Sequence, residues 1–215
     1  MSKTKGNVID PIEIMDEIGA DALRFALVNG AAPGADQRLT RSHLDGARNF
    51  ANKLWNAARF VLGARPEELP DDLVLGLPEA ERLGPAEHWI LSRCRAALRD
   101  ADAAYARFQF AEATRILHQA IWSEYCDWYL EMAKVRLGRD VEPEVRAATW
   151  MVLAWVLDRS LRMLHPVMPH LTEEIWEALD RPGRCMDRPW PDYDPDLLVE
   201  DELELVVQVN GKVRA

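Results

Sequence analysis

The sequence predicts a mainly α-helical bundle (38–180), with a short connective segment before it (residues 1–37) and an irregular segment with a small β fragment after it (181–215). Three observations predict this. Apolar residues recur at helical spacing through the segments 40–62, 86–107, 109–137 and 142–164. No strand–helix alternation and no glycine-rich turn after a strand is present, so a nucleotide-binding βαβ sheet is excluded. Strand-like alternation is confined to LELVVQV (203–209), which runs into a hairpin-type Asn210-Gly211.

The elements follow in order. Residues 1–10, MSKTKGNVID, put two lysines, a serine, a threonine and a glycine in one short loop, a composition suited to phosphate. Residues 11–30 read as two short helices. Pro11 is placed for a first turn, Gly19 stops the first helix, and Leu23 and Leu27 share a face of the second. NGAAPGAD (29–36) is a loop. Thr40 caps a helix over 40–62 that buries Leu44, Ala47, Phe50, Ala51, Leu54, Ala58 and Val61, and Gly63 ends it. Residues 64–85 are a proline-rich acidic connector. The helix over 86–107 buries Trp89, Ile90, Cys94, Ala97, Leu98 and Ala101; Arg93, Arg95 and Arg99 read as solvated charges. In the longest helix, 109–137, Phe110, Ala113, Leu117, Ala120, Trp128 and Met132 are expected on one buried face, with Trp122, Tyr125 and Tyr129 beside it as core. Glu124 and Asp127 are expected to be inter-helix salt-bridge or capping groups. Pro143 starts the helix over 142–164, His165-Pro166 ends it, and Thr172 is expected to cap the next one. His165 and His170 flank a double-proline turn and read as structural.

Composition narrows the function classes. The chain has 215 residues, 48% hydrophobic, with a formal net charge of −10, which argues against a non-specific nucleic-acid coat. Charge is nevertheless segregated. Residues 38–65 hold Arg38, Arg41, Arg48, Lys53, Arg59 and Arg65 against Asp45 alone, and an acidic segment follows. Cys94, Cys126 and Cys185 are too far apart for a disulfide framework or metal-ligand spacing, so no metal is expected and reduced thiols are. The apolar run at 148–157 is too short for a membrane span, and no signal peptide is visible.

The outer side of the 40–62 helix carries the chemistry. Asn49, Lys53, Asn56 and Phe60 follow at i, i+4, i+7 and i+11, one line along the helix, with Asn52 next to it. Such a ring can stack on an unpaired base, the ammonium can meet a phosphate or a base acceptor, and the amides can read base edges. The residues alone leave a second reading open, in which Phe60 packs under the next loop and the others are a solvated face.

GADALRF (19–25) followed by ARNFANKLWNAARF (47–60) resembles valyl-tRNA synthetase, a class I aminoacyl-tRNA synthetase, at the junction into its anticodon-binding helical bundle. WILSR, WSEYCDWYLEMAK and HPVMPHLTEEIW resemble the same subgroup. The resemblance implies that this portion binds the anticodon region of tRNA, with Lys53 and Phe60 at the family's contact positions and Arg38 at that of the loop arginine. With the line above, the candidate tRNA-binding set is Arg38, Asn49, Asn52, Lys53, Asn56 and Phe60. Met1, Ser2 and Lys3 match the family's Lys-Met-Ser-Lys-Ser loop, with Thr4 in place of its last serine and Lys5 following. The resemblance makes Lys3 the residue that stabilises the phosphates of ATP, with Mg2+ accompanying the nucleotide. The family's His-Ile-Gly-His signature and its nucleotide-binding sheet are not in the chain. The expectation is therefore the anticodon-binding C-terminal portion of a cytoplasmic valine–tRNA ligase, inactive alone, whose partner is the enzyme's missing N-terminal catalytic domain. Two rival readings stand beside it. RPWPDYDPDLLVEDELELVVQVNGKVR resembles the tail of leucyl-tRNA synthetase. A free-standing helical RNA-binding or interaction module without catalysis would also carry the stripe.

Overall fold

The structure, a computed structural model, describes residues 9–30, 39–70, 73 and 75–192, and the backbone of 208–209 and 212–213. The helices are α1 (Pro11–Ile18), α2 (Ala20–Val28), α3 (Arg41–Gly63), α4 (Pro85–Ala106), α5 (Phe110–Gln119), α6 (Leu130–Arg136), α7 (Pro143–Leu164) and α8 (Pro169–Ala178). A π-helical stretch, Ala120–Tyr129, joins α5 to α6 without a break. Gln208–Val209 pairs antiparallel with Lys212–Val213, so the expected C-terminal hairpin is present. Among the described residues no helix is long and apolar enough to cross a membrane.

The helix starts follow local chemistry. Asp10 accepts the Ile12 N–H at 2.9 Å and Pro11 takes the first turn, where its missing donor costs nothing. Gly19 turns the chain from α1 into α2 at φ +89°, a conformation that side chains resist. Thr40 caps α3 through the His43 N–H at 3.3 Å. Pro85 and Pro143 open α4 and α7.

Helix α7 is the axis of the bundle. Its middle, from Ala148 to Leu164, is buried almost all round, which is why its apolar residues follow no single stripe. It packs against α3, α4, α5, α6 and α8. Trp150 Nε1 donates to the Val61 carbonyl at 2.8 Å, and Tyr105 and Tyr125 donate to the carbonyls of Met163 and Leu153 at 3.1 and 3.0 Å. These bonds fix α3, α4 and the π stretch against α7, and each satisfies a polar side-chain group.

Several expectations need correction. Trp128 is 64% exposed and Phe110 is 48% exposed, not core. The buried positions run Ala113, Leu117, Ile121, Tyr125, Tyr129 and Ala133, every fourth residue. Such spacing drifts by about 40° per step on an α-helix. The wider i→i+5 turns of the π stretch take up the drift, holding Tyr125 and Tyr129 inward and turning Trp128 out. Thr172 does not cap α8. It lies inside the helix and donates to the Met168 carbonyl at 2.9 Å, and the N–H of Leu171 is taken by Asp21 of α2. Leu27 is 49% exposed and shares no buried face with Leu23. Arg24 donates to the carbonyls of Val167 and Pro166 at 3.0 and 2.9 Å and ties α2 to the turn before α8.

Candidate nucleic-acid interface

Helix α3 presents the candidate residues on a rigid support. Leu44, Ala47, Phe50, Leu54, Ala57, Ala58 and Val61 are buried, as the periodicity predicts. On the opposite side Asn49, Asn52, Asn56 and Arg59 are exposed and form the outer crest. The line Asn49, Lys53, Asn56, Phe60 is therefore not uniformly exposed. Lys53 and Phe60 are half-buried, because they lie about 60–80° round the helix from the middle of the crest, on the side facing the π stretch and Lys134 of α6.

A seam forms there. Lys53 Nζ stands 4.0 Å from the centroid of the Trp122 ring and pairs with Asp127. Trp122 stacks on His118 at 5.5 Å, and His118 meets Phe50 at 4.7 Å, so the aromatic column continues into the core. Two turns further along α3, the Phe60 ring is approached by Lys134 Nζ at 5.6 Å. Burial, and then the nearby Lys53 ammonium, hold the His118 imidazole below its usual range, so it is neutral at pH 7.

The chemistry of this face is polar rather than simply basic. Arg41 pairs with Glu17 at 2.6 Å, Arg48 with Asp45 at 3.5 Å, and Arg65 donates to the Pro70 carbonyl at 2.6 Å. Arg59 has no ion-pair partner among the described residues. It stands three residues beyond Asn56 and seven beyond Asn52, on the same crest, as a cation for a phosphate. Lys53 has three N–H donors, so its bond to Asp127 leaves donors for a ligand. The asparagine amides offer paired donor and acceptor groups to base edges. Arg59 and Trp128 are exposed residues near this face that the sequence reading does not single out. Continuing the Asn52–Asn56 line by three residues finds Arg59, whereas the exposure of Trp128 follows only from the π register.

The other candidates sort clearly. Arg38, Ser2, Lys3, Thr4 and Lys5 lie outside the described residues. Glu124 pairs with Arg93 at 2.7 Å and Asp127 with Lys53, so of the two expected roles both take the inter-helix salt bridge. His165 keeps a structural place, with Nδ1 2.7 Å from Thr172 Oγ1. Cys94 and Cys126 are buried, which pushes both thiols up to about 12.

This bundle, with a polar and aromatic helix face on one side, defines a class of protein. Residues 87–215 match the family described as the anticodon-binding domain of tRNA ligase, and the chain belongs to that family. Residues 1–40 match the class I tRNA synthetases for isoleucine, leucine, methionine and valine. Within that class the similar chains are valine–tRNA ligases. That of Latilactobacillus sakei subsp. sakei is 42% identical over 214 residues, 99% of this chain and 24% of the relative. That of Dehalococcoides mccartyi is 50% identical over 182 residues, 83% of this chain and 19% of the relative. That of Geobacillus stearothermophilus is 41% identical over 222 residues, 100% of this chain and 24% of the relative. This chain thus spans about a quarter of the length of these curated relatives, and the valyl likeness runs through its tail as well. In fold, the chain is similar to the leucyl-tRNA synthetase of Agrobacterium radiobacter K84 in its ternary complex with tRNA and LeuAMS. The TM-score is 0.66 at 24% identity, over 100% of this chain and 25% of the other. It is also similar to Mycobacterium tuberculosis methionyl-tRNA synthetase in complex with methionyl-adenylate, with a TM-score of 0.69 at 22% identity, over 84% of this chain and 36% of the other.

Proposed function

We propose that this chain selects tRNA for a valine–tRNA ligase by reading unstacked anticodon bases on α3. The observation that carries the proposal is the crest of Asn49, Asn52, Asn56 and Arg59 beside half-buried Lys53 and Phe60. A rigid helix sets the spacing of these groups, and the bundle behind it keeps that geometry before RNA arrives. A base laid against the Phe60 edge gains stacking, worth about 1–3 kcal/mol per base. Lys53 supplies a charged donor beside it, and the amides discriminate by the groups they leave unpaired when the wrong base is present. Arg59 meets the backbone. By resemblance, Arg38 completes the set from the loop before α3.

The parent reaction we propose is ATP-dependent ligation of valine to its tRNA in the cytoplasm. It belongs to the whole protein, with ATP and Mg2+ held elsewhere and Lys3, flanked by Ser2, Thr4 and Lys5, brought to the phosphates. This chain alone is then inactive in adenylate formation and active in tRNA binding.

The test is a fluorescence titration of the chain with valine tRNA, leucine tRNA and valine tRNA carrying an altered anticodon, at one fixed salt concentration. Valine tRNA is expected to bind best, with the altered anticodon costing about 1–3 kcal/mol. Equal binding of all three would remove the anticodon reading.

A further inference from the structure

The corner between α7, α8 and the segment that follows α8 holds a group that the sequence spacing does not announce. His165 follows the last turn of α7, Glu173 lies on α8, and Cys185 opens a short 3-10 turn, Cys185–Asp187. One ring nitrogen of His165, one carboxylate oxygen of Glu173 and the Cys185 sulfur lie within 4.8 Å of one another. Cys185 is 2% exposed. Glu173 Oε1 accepts the Cys185 N–H at 3.0 Å, which fixes the carboxylate beside the thiol. Glu173 Oε2 is buried with no hydrogen-bond partner among the described residues, and His165 Nδ1 stands 3.9 Å from it. A buried carboxylate oxygen facing a thiol and an imidazole, with nothing bonded to it, is an acceptor awaiting a cation.

We propose that His165, Glu173 and Cys185 bind a divalent transition-metal ion of the Zn2+ class. The donor set is nitrogen, oxygen and sulfur, which suits zinc and is wrong for Ca2+ or Mg2+, whose ligands are all oxygen. Tetrahedral zinc places such ligand atoms about 3.5 Å apart, so the side chains close by about 1 Å from their present spacing. Thiolate and carboxylate together neutralise the ion. Ligation breaks the S–H bond and forms a sulfur–metal bond, releasing one proton to solvent, and the imidazole stays neutral. If Nδ1 is the ligating atom, its proton moves to Nε2. Thr172 Oγ1, now 2.7 Å from Nδ1, keeps its own bond to the Met168 carbonyl and turns a lone pair toward the ion or toward a water on the fourth position. The ion would pin the 181–187 segment to the α7–α8 corner, where Trp176 Nε1 already holds the Gly183 carbonyl at 3.1 Å. It would thus brace the joint where Arg24 and Asp21 of α2 meet the same corner. This proposal is independent of the reading of α3.

The test uses the full chain, stripped with chelator and passed over a desalting column. After exposure to equimolar Zn2+ and a second column, one equivalent of zinc is expected to remain, with a rise in melting temperature. The Co2+-loaded chain is expected to show a thiolate-to-cobalt charge-transfer band. Both signals are expected to vanish in Cys185→Ser, weaken at least tenfold in affinity in Glu173→Gln, and persist in Cys126→Ser. Wild-type chain that keeps no zinc, or binds Co2+ without a thiolate band, overturns the proposal, and so does uptake that survives Cys185→Ser.

Discussion

Replacing Glu87 with alanine is expected to cost the fold about 3–5 kcal/mol, the range for removing one partner of a buried ion pair. Glu87 is fully buried at the first turn of α4. Its Oε2 accepts the Gly84 N–H at 2.9 Å, which caps the helix. Its Oε1 faces Arg136 Nε at 3.1 Å and Thr149 Oγ1 at 3.2 Å, with the Tyr129 hydroxyl at 3.5 Å. One carboxylate therefore joins α4, α6, α7 and the π stretch. Alanine removes the charge partner of a guanidinium whose side chain is 30% exposed and the acceptor of the helix-cap N–H, while Arg136 Nε keeps Thr149 Oγ1 at 3.2 Å and the Tyr129 hydroxyl keeps the Thr149 carbonyl at 3.5 Å. For a chain of this size each kcal/mol moves the melting temperature by about 2–4 °C, so Glu87→Ala is expected to lose about 6–20 °C. Glu87→Gln keeps the volume and one acceptor and is expected to lose less. Urea unfolding followed by circular dichroism checks the size, with a lower midpoint and an unchanged slope. A Glu87→Ala melting temperature within about 2 °C of wild type would refute the reasoning, because it would mean that the carboxylate is solvated.

Other outcomes follow from the same contacts. Trp128→Ala is expected to change stability by less than about 0.5 kcal/mol, and Tyr129→Ala to cost about 3–5 kcal/mol; paired thermal melts separate the π register from an uninterrupted α-helix. The His118 imidazole is held below its usual value, so the unfolded chain takes up a proton that the fold resists. Stability is therefore complete above about pH 6.5 and falls as pH drops below it, and melts at pH 7.5 and 5.5 are expected to show a larger loss in wild type than in His118→Gln. Cys94 and Cys126 are expected to resist alkylation in the native chain at pH 8, because burial raises both thiols to about 12, and to react fully on unfolding.

Most of the fold was legible because its signals are local. Thr40, Pro11 and Pro143 mark helix starts by their own backbone chemistry, and the buried residues of α3 follow one period without interruption. What was hidden depends on distant partners. Thr172 has the residue type of a cap, but α8 begins three residues earlier at Pro169, so its hydroxyl turns back to the Met168 carbonyl and Asp21, far away in sequence, accepts the Leu171 N–H near the start of the helix. The Trp128 placement failed because a constant 3.6-residue period does not hold across a π stretch. On α3 the buried and outward sides were legible from the period, whereas the division between exposed crest and half-buried seam depends on Trp122, Asp127 and Lys134 outside that helix. The grouping of His165, Glu173 and Cys185 required the return of the chain after α8, which no spacing rule contains.

The most direct test of anticodon reading on α3 is a double-mutant cycle between Phe60→Ala and a change of the central anticodon base of valine tRNA, measured as binding free energy at one salt concentration. If Phe60 meets that base, each change alone weakens binding by about 1–3 kcal/mol and the two together cost clearly less than their sum. Lys53→Ala and Arg59→Ala complete the comparison. The first is expected to reduce discrimination between anticodons, and the second to weaken all tRNAs alike and flatten the salt dependence. Additive losses in the cycle, or a Phe60→Ala chain that binds every tRNA as wild type does, would contradict it and leave α3 a solvated face.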